Sequence, residues 1–197
     1  MAIAATFTTP LAFLVNTLFG LYTLAVILRF LLQKVRADYN NPISQLVIRV
    51  TNPVLSPLHR LIPGWRGYDL AAVLVMFILQ AINVTLLSAI YTASYPEMGY
   101  PGALELPLYA LLKLVVLFIG LFIFTILIQV VVSWLNPQGH NPALTVLWQL
   151  NRPLLEPIRR VVPRPGGLDL TPMAAIIGLF FLFLLVQGLL PPFLVRM

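Results

Sequence analysis

Two aspartates and two basic pairs are the side chains of this sequence best suited to chemistry. Asp69 and Asp169 each stand in a Gly-x-Asp-Leu tetrapeptide, Gly67 to Leu70 and Gly167 to Leu170. His59-Arg60 and Arg159-Arg160 precede them. An aspartate at a helix start accepts backbone N–H bonds and meets the positive end of the helix dipole. Two carboxylates related by symmetry could instead share a cation or a proton. A guanidinium offers a planar fork of donors that suits phosphate or carboxylate, but at a membrane surface it can also serve only to orient the chain and snorkel into the headgroups. Both alternatives stand open for both residue types. No cysteine is present, which removes disulfides, thiolate nucleophiles and thiolate metal ligands.

These groups recur because the chain repeats itself at an offset of 100 residues. The conserved punctuation is Asn41-Pro42, Pro53, Pro57, Arg60, Pro63, Gly67 and Asp69 in the first copy. In the second it is Asn141-Pro142, Pro153, Pro157, Arg160, Pro163, Gly167 and Asp169. Shared leucines would mean little in an apolar chain. Shared Pro, Gly, Asn and Asp mean more, because each sets a backbone angle or a cap. Two units follow, residues 1–100 and 101–197.

The elements that position these motifs are membrane spans. The chain is 60% hydrophobic and 9% charged, against about 25% charged in a soluble domain. Four charge-free stretches reach the roughly 20 residues a span needs. The runs Leu11–Leu28, Leu70–Tyr95, Leu114–Leu135 and Leu170–Val195 place spans at about 11–32, 70–92, 111–135 and 171–195. The expected fold is all-α: a four-helix transmembrane protein built from two parallel-oriented tandem repeats. Each repeat holds a short amphipathic interfacial helix and a proline-rich loop between its spans.

Charge orients the bundle. The loops of residues 33–69 and 136–170 are basic, whereas the connection from Thr92 to Lys113 holds Glu97, Glu105 and one lysine. The positive-inside rule puts both basic loops in the cytoplasm and both termini outside. Most of the net charge of +6 belongs to these loops, so no nucleic-acid partner is expected.

Asn41-Pro42 and Asn141-Pro142 read as helix starts, with Asn as the cap and Pro in the first turn. Ile43, Leu46, Val47 and Val50 then form one apolar stripe, opposite Ser44, Gln45 and Arg49. Ala143, Val146, Leu147 and Leu150 repeat the stripe, and Trp148 suits the headgroup depth. Pro53 and Pro57, and their mates Pro153 and Pro157, are expected to break the helix; Pro63 stops it again. Inside the spans Asn16, Gln80, Asn83, Thr125, Gln129 and Ser133 are the expected interhelical glue, and Gln129 is the repeat mate of Arg29.

The doubled pattern N-P-x10-P-x3-P-x-[HR]-R-x2-P-x3-G-x-D-L resembles the YggT family of small integral membrane proteins over roughly residues 11–195. The second copy is the closer match. The first has His59 for the leading arginine, Trp65-Arg66 before the glycine and Ala71-Ala72 for Thr171-Pro172. Any arginine-dependent site is therefore expected to be weaker there. The resemblance implies a multi-pass protein of the bacterial inner membrane. Relatives are linked to osmotic-shock recovery and cation uptake, to a cell-division protein, or to heme attachment in plastids. These roles share no reaction and supply no catalytic residue.

The resulting expectation is a non-enzymatic scaffold or assembly factor without a cofactor or metal. It would present its two basic hairpins to anionic headgroups through Arg60, Arg159 and Arg160, and to a protein partner or a second copy of itself. The alternative is a small cation channel or transporter component of osmotic adaptation. Nothing in the sequence matches a P-loop, GxSxG or HExxH motif. His59 and His140 fall at non-equivalent repeat positions, so duplication builds no paired histidine site.

Overall fold

The computed structural model describes residues 2–65, 67–135, 142–162 and 169–195. The first repeat consists of α1 (Ala2–Lys34), α2 (Pro42–Leu61) and α3 (Leu70–Ser94). The second consists of α4 (Glu105–Leu135), α5 (Pro142–Arg159) and α6 (Thr171–Gln187), followed by the short α7 (Pro192–Val195). A 3-10 turn, Pro96–Met98, lies in the connection. Three segments are long and apolar enough to cross a bilayer: Phe7–Lys34, Leu70–Ser94 and Glu105–Ser133. The fourth apolar helix, α6, has 17 residues, about 25 Å at 1.5 Å per residue, which sits at the short end of spanning length. The chain is a multi-pass helical membrane protein.

Besides α1, which begins at Ala2 and not near residue 11, apolar run length misjudged two ends. The last helix stops at Gln187, short of 195: Gly188 caps it by donating to Leu184 O. Pro191 and Pro192 then remove two successive N–H donors. At the other error, α4 begins at Glu105, so Lys113 lies eight residues inside a span and is not part of the loop.

Equivalent residues fill equivalent cores. Val26, Leu55 and Val75 pack together in the first repeat, and their mates Ile126, Leu155 and Ala175 pack together in the second. Val47 of α2 and Val146 of α5 share one cluster with Leu32 and Ala37. The two amphipathic helices therefore meet at the same end of the bundle, as tandem repeats in parallel orientation require.

The prolines do not break α2 or α5. Both helices run through their paired prolines, Pro53 and Pro57 or Pro153 and Pro157. The reason lies in their facing. All four are exposed, while Thr51, Leu55, Asn151 and Leu155 on the opposite side are buried. In α2 the carbonyls left without an N–H partner, those of Arg49 and Pro53, fall on the accessible side, where water can satisfy them. Pro63 does lie beyond the end of α2, which is capped at Ile62.

The stripe of α2 also divides differently from the expectation. Ser44, Val47, Thr51 and Leu55 are buried, whereas Leu46, Val50 and Val54 remain exposed. Ser44, expected on the polar face, sits against the bundle. The helix thus has one face packed on the protein and a second apolar stripe left exposed.

Candidate functional site

Local chemistry builds the basic hairpins. Asn41 Oδ1 accepts from Ile43 N at 2.9 Å with Pro42 in the first turn, so α2 starts as its sequence indicates. Beyond α2, Trp65 and Tyr68 exchange backbone hydrogen bonds of 3.0 and 2.9 Å. Gly67 between them has φ +80°, a region in which a side chain is strained. The ammonium of Lys34 lies 3.4 Å over the Tyr68 ring, and Phe30 stacks on the same ring. This turn sends the chain back so that Asp69 meets the end of α2.

The meeting is a latch. His59 Nε2 lies 2.9 and 2.8 Å from the two carboxylate oxygens of Asp69, and Oδ1 also accepts from Ala72 N at 2.9 Å. The second repeat reproduces it. Arg159 Nη2 donates to Asp169 Oδ2 at 3.0 Å, and Oδ1 accepts from Thr171 N at 3.0 Å. The one-residue change of backbone donor has a direct cause. Position 172 is proline, the mate of Ala72, and has no N–H to offer. Asp69 is 3% exposed and Asp169 36%, so the first latch is a core feature and the second a surface one.

The basic pair is therefore divided. Its first member, His59 or Arg159, turns inward to the aspartate. Its second, Arg60 or Arg160, is exposed and makes no side-chain hydrogen bond or ion pair among the described residues. Each aspartate is committed to a basic side chain of its own repeat. No cluster of three or more acidic, histidine or cysteine side chains exists among the described residues. Asn141, Pro163 and Gly167 lie outside those residues.

A second polar clamp ties each amphipathic helix to its span. Arg29 Nη1 donates to Thr51 Oγ1 and Asn52 Oδ1, both at 2.8 Å. In the second repeat Thr125 Oγ1 donates to Asn151 Oδ1, and Asn151 Nδ2 donates to Gln129 Oε1, both at 2.8 Å. The expected glue residues Thr125 and Gln129 thus act on α5, through a position, 51 or 151, that was not singled out from sequence. Gln80 Nε2 donates to Thr23 Oγ1 at 2.9 Å, joining α3 to α1.

A cleft of about 490 Å³ opens beside the second latch, lined by Gln129, Trp148, Arg159, Asp169 and Pro172. Arg159 Nε is buried there without a hydrogen-bond partner among the described residues. Lys113 is the polar residue sequence reasoning missed most completely. It is buried between spans, donating to Asn16 Oδ1 at 2.7 Å and to Asn83 Oδ1. Its mate is Phe13, so the duplication gave no signal for it. The latches did leave one: a basic residue stands ten positions before the aspartate in both copies.

The sequence is similar to those of known proteins. The CCB3/YggT family matches residues 8–90 and 108–190, once per repeat. The chain is 40% identical over 171 residues to the uncharacterized protein YggT of Escherichia coli, covering 86% of this chain and 85% of that one. It is 38% identical over 181 residues to an uncharacterized protein of Pseudomonas aeruginosa, covering 90% and 88%. A Vibrio alginolyticus protein is 38% identical over 182 residues, covering 92% and 96%. No solved structure matches. With both latches, both clamps and the doubled motif inside the matched segments, the chain belongs to the CCB3/YggT family.

Proposed function

We propose that the protein is a non-enzymatic scaffold that presents two basic, amphipathic cytoplasmic hairpins to anionic lipid headgroups and to a protein partner. The observation that carries this is the division of labour in each hairpin. Buried polar clamps and an aspartate latch hold the helix in place, while Leu46, Val50, Val54 and Trp148 stay exposed with Arg60 and Arg160 beyond them. Groups held rigidly but left uncovered are suited to recognition. The cation-transport alternative gains less support, since the buried ammonium of Lys113 repels cations from the interior of a single bundle.

The arginines provide the first test. Replacing Arg60 and Arg160 together by Gln should lower retention of phosphatidylglycerol by the purified protein. The lost component should be the part that wild type loses as salt rises. Arg159→Gln should instead lower thermal stability, because it opens the latch. Equal salt-sensitive retention in wild type and the double variant would leave Arg60 and Arg160 as topology signals only. Affinity purification in mild detergent, followed by mass spectrometry, should return a stoichiometric membrane partner. A chain that recovers none and instead conducts cations in liposomes would favour the transport reading.

Sidedness is tested by labelling. Cysteines at Ser56 and Glu156, both exposed on the basic helices, should resist a membrane-impermeant thiol reagent in intact cells and react after lysis. One at Glu97, in the acidic connection, should react in intact cells. Reaction of the first two in sealed cells would reverse the orientation.

A further inference from the structure

Lys113 has no role in the hairpins and lies toward the other end of the bundle. It sits eight residues inside α4, about 12 Å along the helix axis, in the half of the span away from the hairpins. Near membrane ends a lysine ordinarily snorkels toward the headgroups. This one is only 8% exposed and is drawn inward by Asn16 of α1 and Asn83 of α3. An ammonium has three N–H donors and no acceptor. Two are engaged by those amide oxygens, and no carboxylate pairs with it among the described residues. A buried charge of this kind is costly unless it is compensated.

The lysine borders a cavity of about 300 Å³ that it shares with Asn16, Gly20, Gln80, Gly120, Phe183 and Gln187. Gly20 and Gly120 are repeat mates, and small residues in spans usually permit close helix packing. That does not account for Gly20, where a Cβ would meet nothing within 4 Å; at Gly120 it would meet only Phe183 at 3.8 Å. The glycines keep room in front of the ammonium. Gln80 is 1% exposed and its Oε1 has no hydrogen-bond partner among the described residues. A cation and an unmatched amide acceptor therefore share one space with an apolar wall.

We propose that this cavity binds the oxyanion of an anionic lipid, a carboxylate or a phosphate ester. Lys113 donates to the oxyanion, and the hydrocarbon lies along Phe183 and the neighbouring apolar side chains. A headgroup that also carries a hydroxyl has Gln80 Oε1 to accept from it. The site occurs once, because position 13 is phenylalanine. It is separate from Arg60 and Arg160 and makes no demand on the scaffold reading.

The test uses the full chain in neutral detergent at high salt, where exposed arginine contacts are screened and a buried contact is screened much less. Oleate, phosphatidylglycerol and phosphatidylcholine are added separately, and bound lipid is counted by native mass spectrometry alongside thermal unfolding. Oleate, phosphatidylglycerol or both should be retained and should raise the unfolding temperature, while phosphatidylcholine should do neither. Which of the two is retained identifies the carboxylate or the phosphate ester as the natural group. Lys113→Met should weaken retention roughly tenfold to a hundredfold, the loss of one charge-assisted hydrogen bond. Gly20→Leu, which keeps the ammonium but fills the cavity, should weaken it similarly, and the Arg60→Gln/Arg160→Gln variant should retain it. Equal retention by wild type, Lys113→Met and Gly20→Leu overturns the proposal, as does phosphatidylcholine binding as well as the anionic lipids.

Discussion

Asn151→Leu should be among the most destabilising single changes in the second repeat. Asn151 is fully buried, and both ends of its amide are engaged. Leucine keeps the branching at Cγ, with a larger volume, but offers neither an acceptor to Thr125 nor a donor to Gln129. Thr125 has a fallback, since its hydroxyl also lies 3.1 Å from Phe122 O. Gln129 Oε1 has none among the described residues, and an unsatisfied buried polar group costs about 1–3 kcal/mol. Hydrogen bonds between transmembrane helices average only about 0.6 kcal/mol, because the disrupted state finds other partners. The larger figure applies here because the variant keeps α5 packed and strands the glutamine. A second change separates the two effects. Gln129→Leu added to Asn151→Leu removes the orphaned group and should recover much of the loss, since replacing both partners by apolar groups can be nearly neutral. Thermal unfolding of the three variants in one detergent is the measurement. A double variant no more stable than Asn151→Leu would show that packing, not the orphaned amide, sets the cost.

This clamp also shows where the sequence was readable. Repetition of Asn, Pro, Gly and Asp marked Asn41 as a helix cap, Gly67 as a position of set backbone angle and Asp69 as a cap or an ion site, because each acts on backbone within a few residues. Thr125 and Gln129 were recognisable as glue, yet their partner on α5 was not, since partner choice depends on how two helices cross. Paired prolines suggested a break because a continuous helix seemed to leave carbonyls unsatisfied. Only the facing of Pro53 and Pro57 toward the accessible side removes that cost. Lys113 stands one residue before the charge-free run that begins at Leu114, so its charge counts with the connection although the helix encloses it. Two asparagines from other helices enclose it, and neither lies near it in sequence.

The aspartates should part company when changed to asparagine. At position 69 the amide oxygen can still accept from Ala72 N. The amide N–H₂ can donate to His59 Nε2 when the imidazole carries its proton on Nδ1, so latch and cap both survive. Asp69→Asn should therefore keep most of the wild-type stability, whereas Asp69→Ala should lose the cap at a cost of about 0.5–2 kcal/mol and leave His59 without its partner. Position 169 differs because its partner is a guanidinium. Arginine has donors only, so an asparagine that turns its oxygen to Thr171 N points its N–H₂ at Arg159. Asp169→Asn should fall well short of wild type. Its absolute cost should stay below that of Asp69→Ala, because the pair is about one-third exposed on each side and surface ion pairs contribute about 0–1 kcal/mol. Combining Asp169→Asn with Arg159→His transplants the first latch into the second repeat and should recover the difference. Thermal stability of the single and double variants is read beside protein level and growth after osmotic shock. Rescue by the transplanted histidine would establish the aspartates as latches whose charge is needed only opposite arginine. Stable, abundant Asn variants at both positions that fail to recover from shock would instead make the carboxylate charge itself functional and revive an ion site.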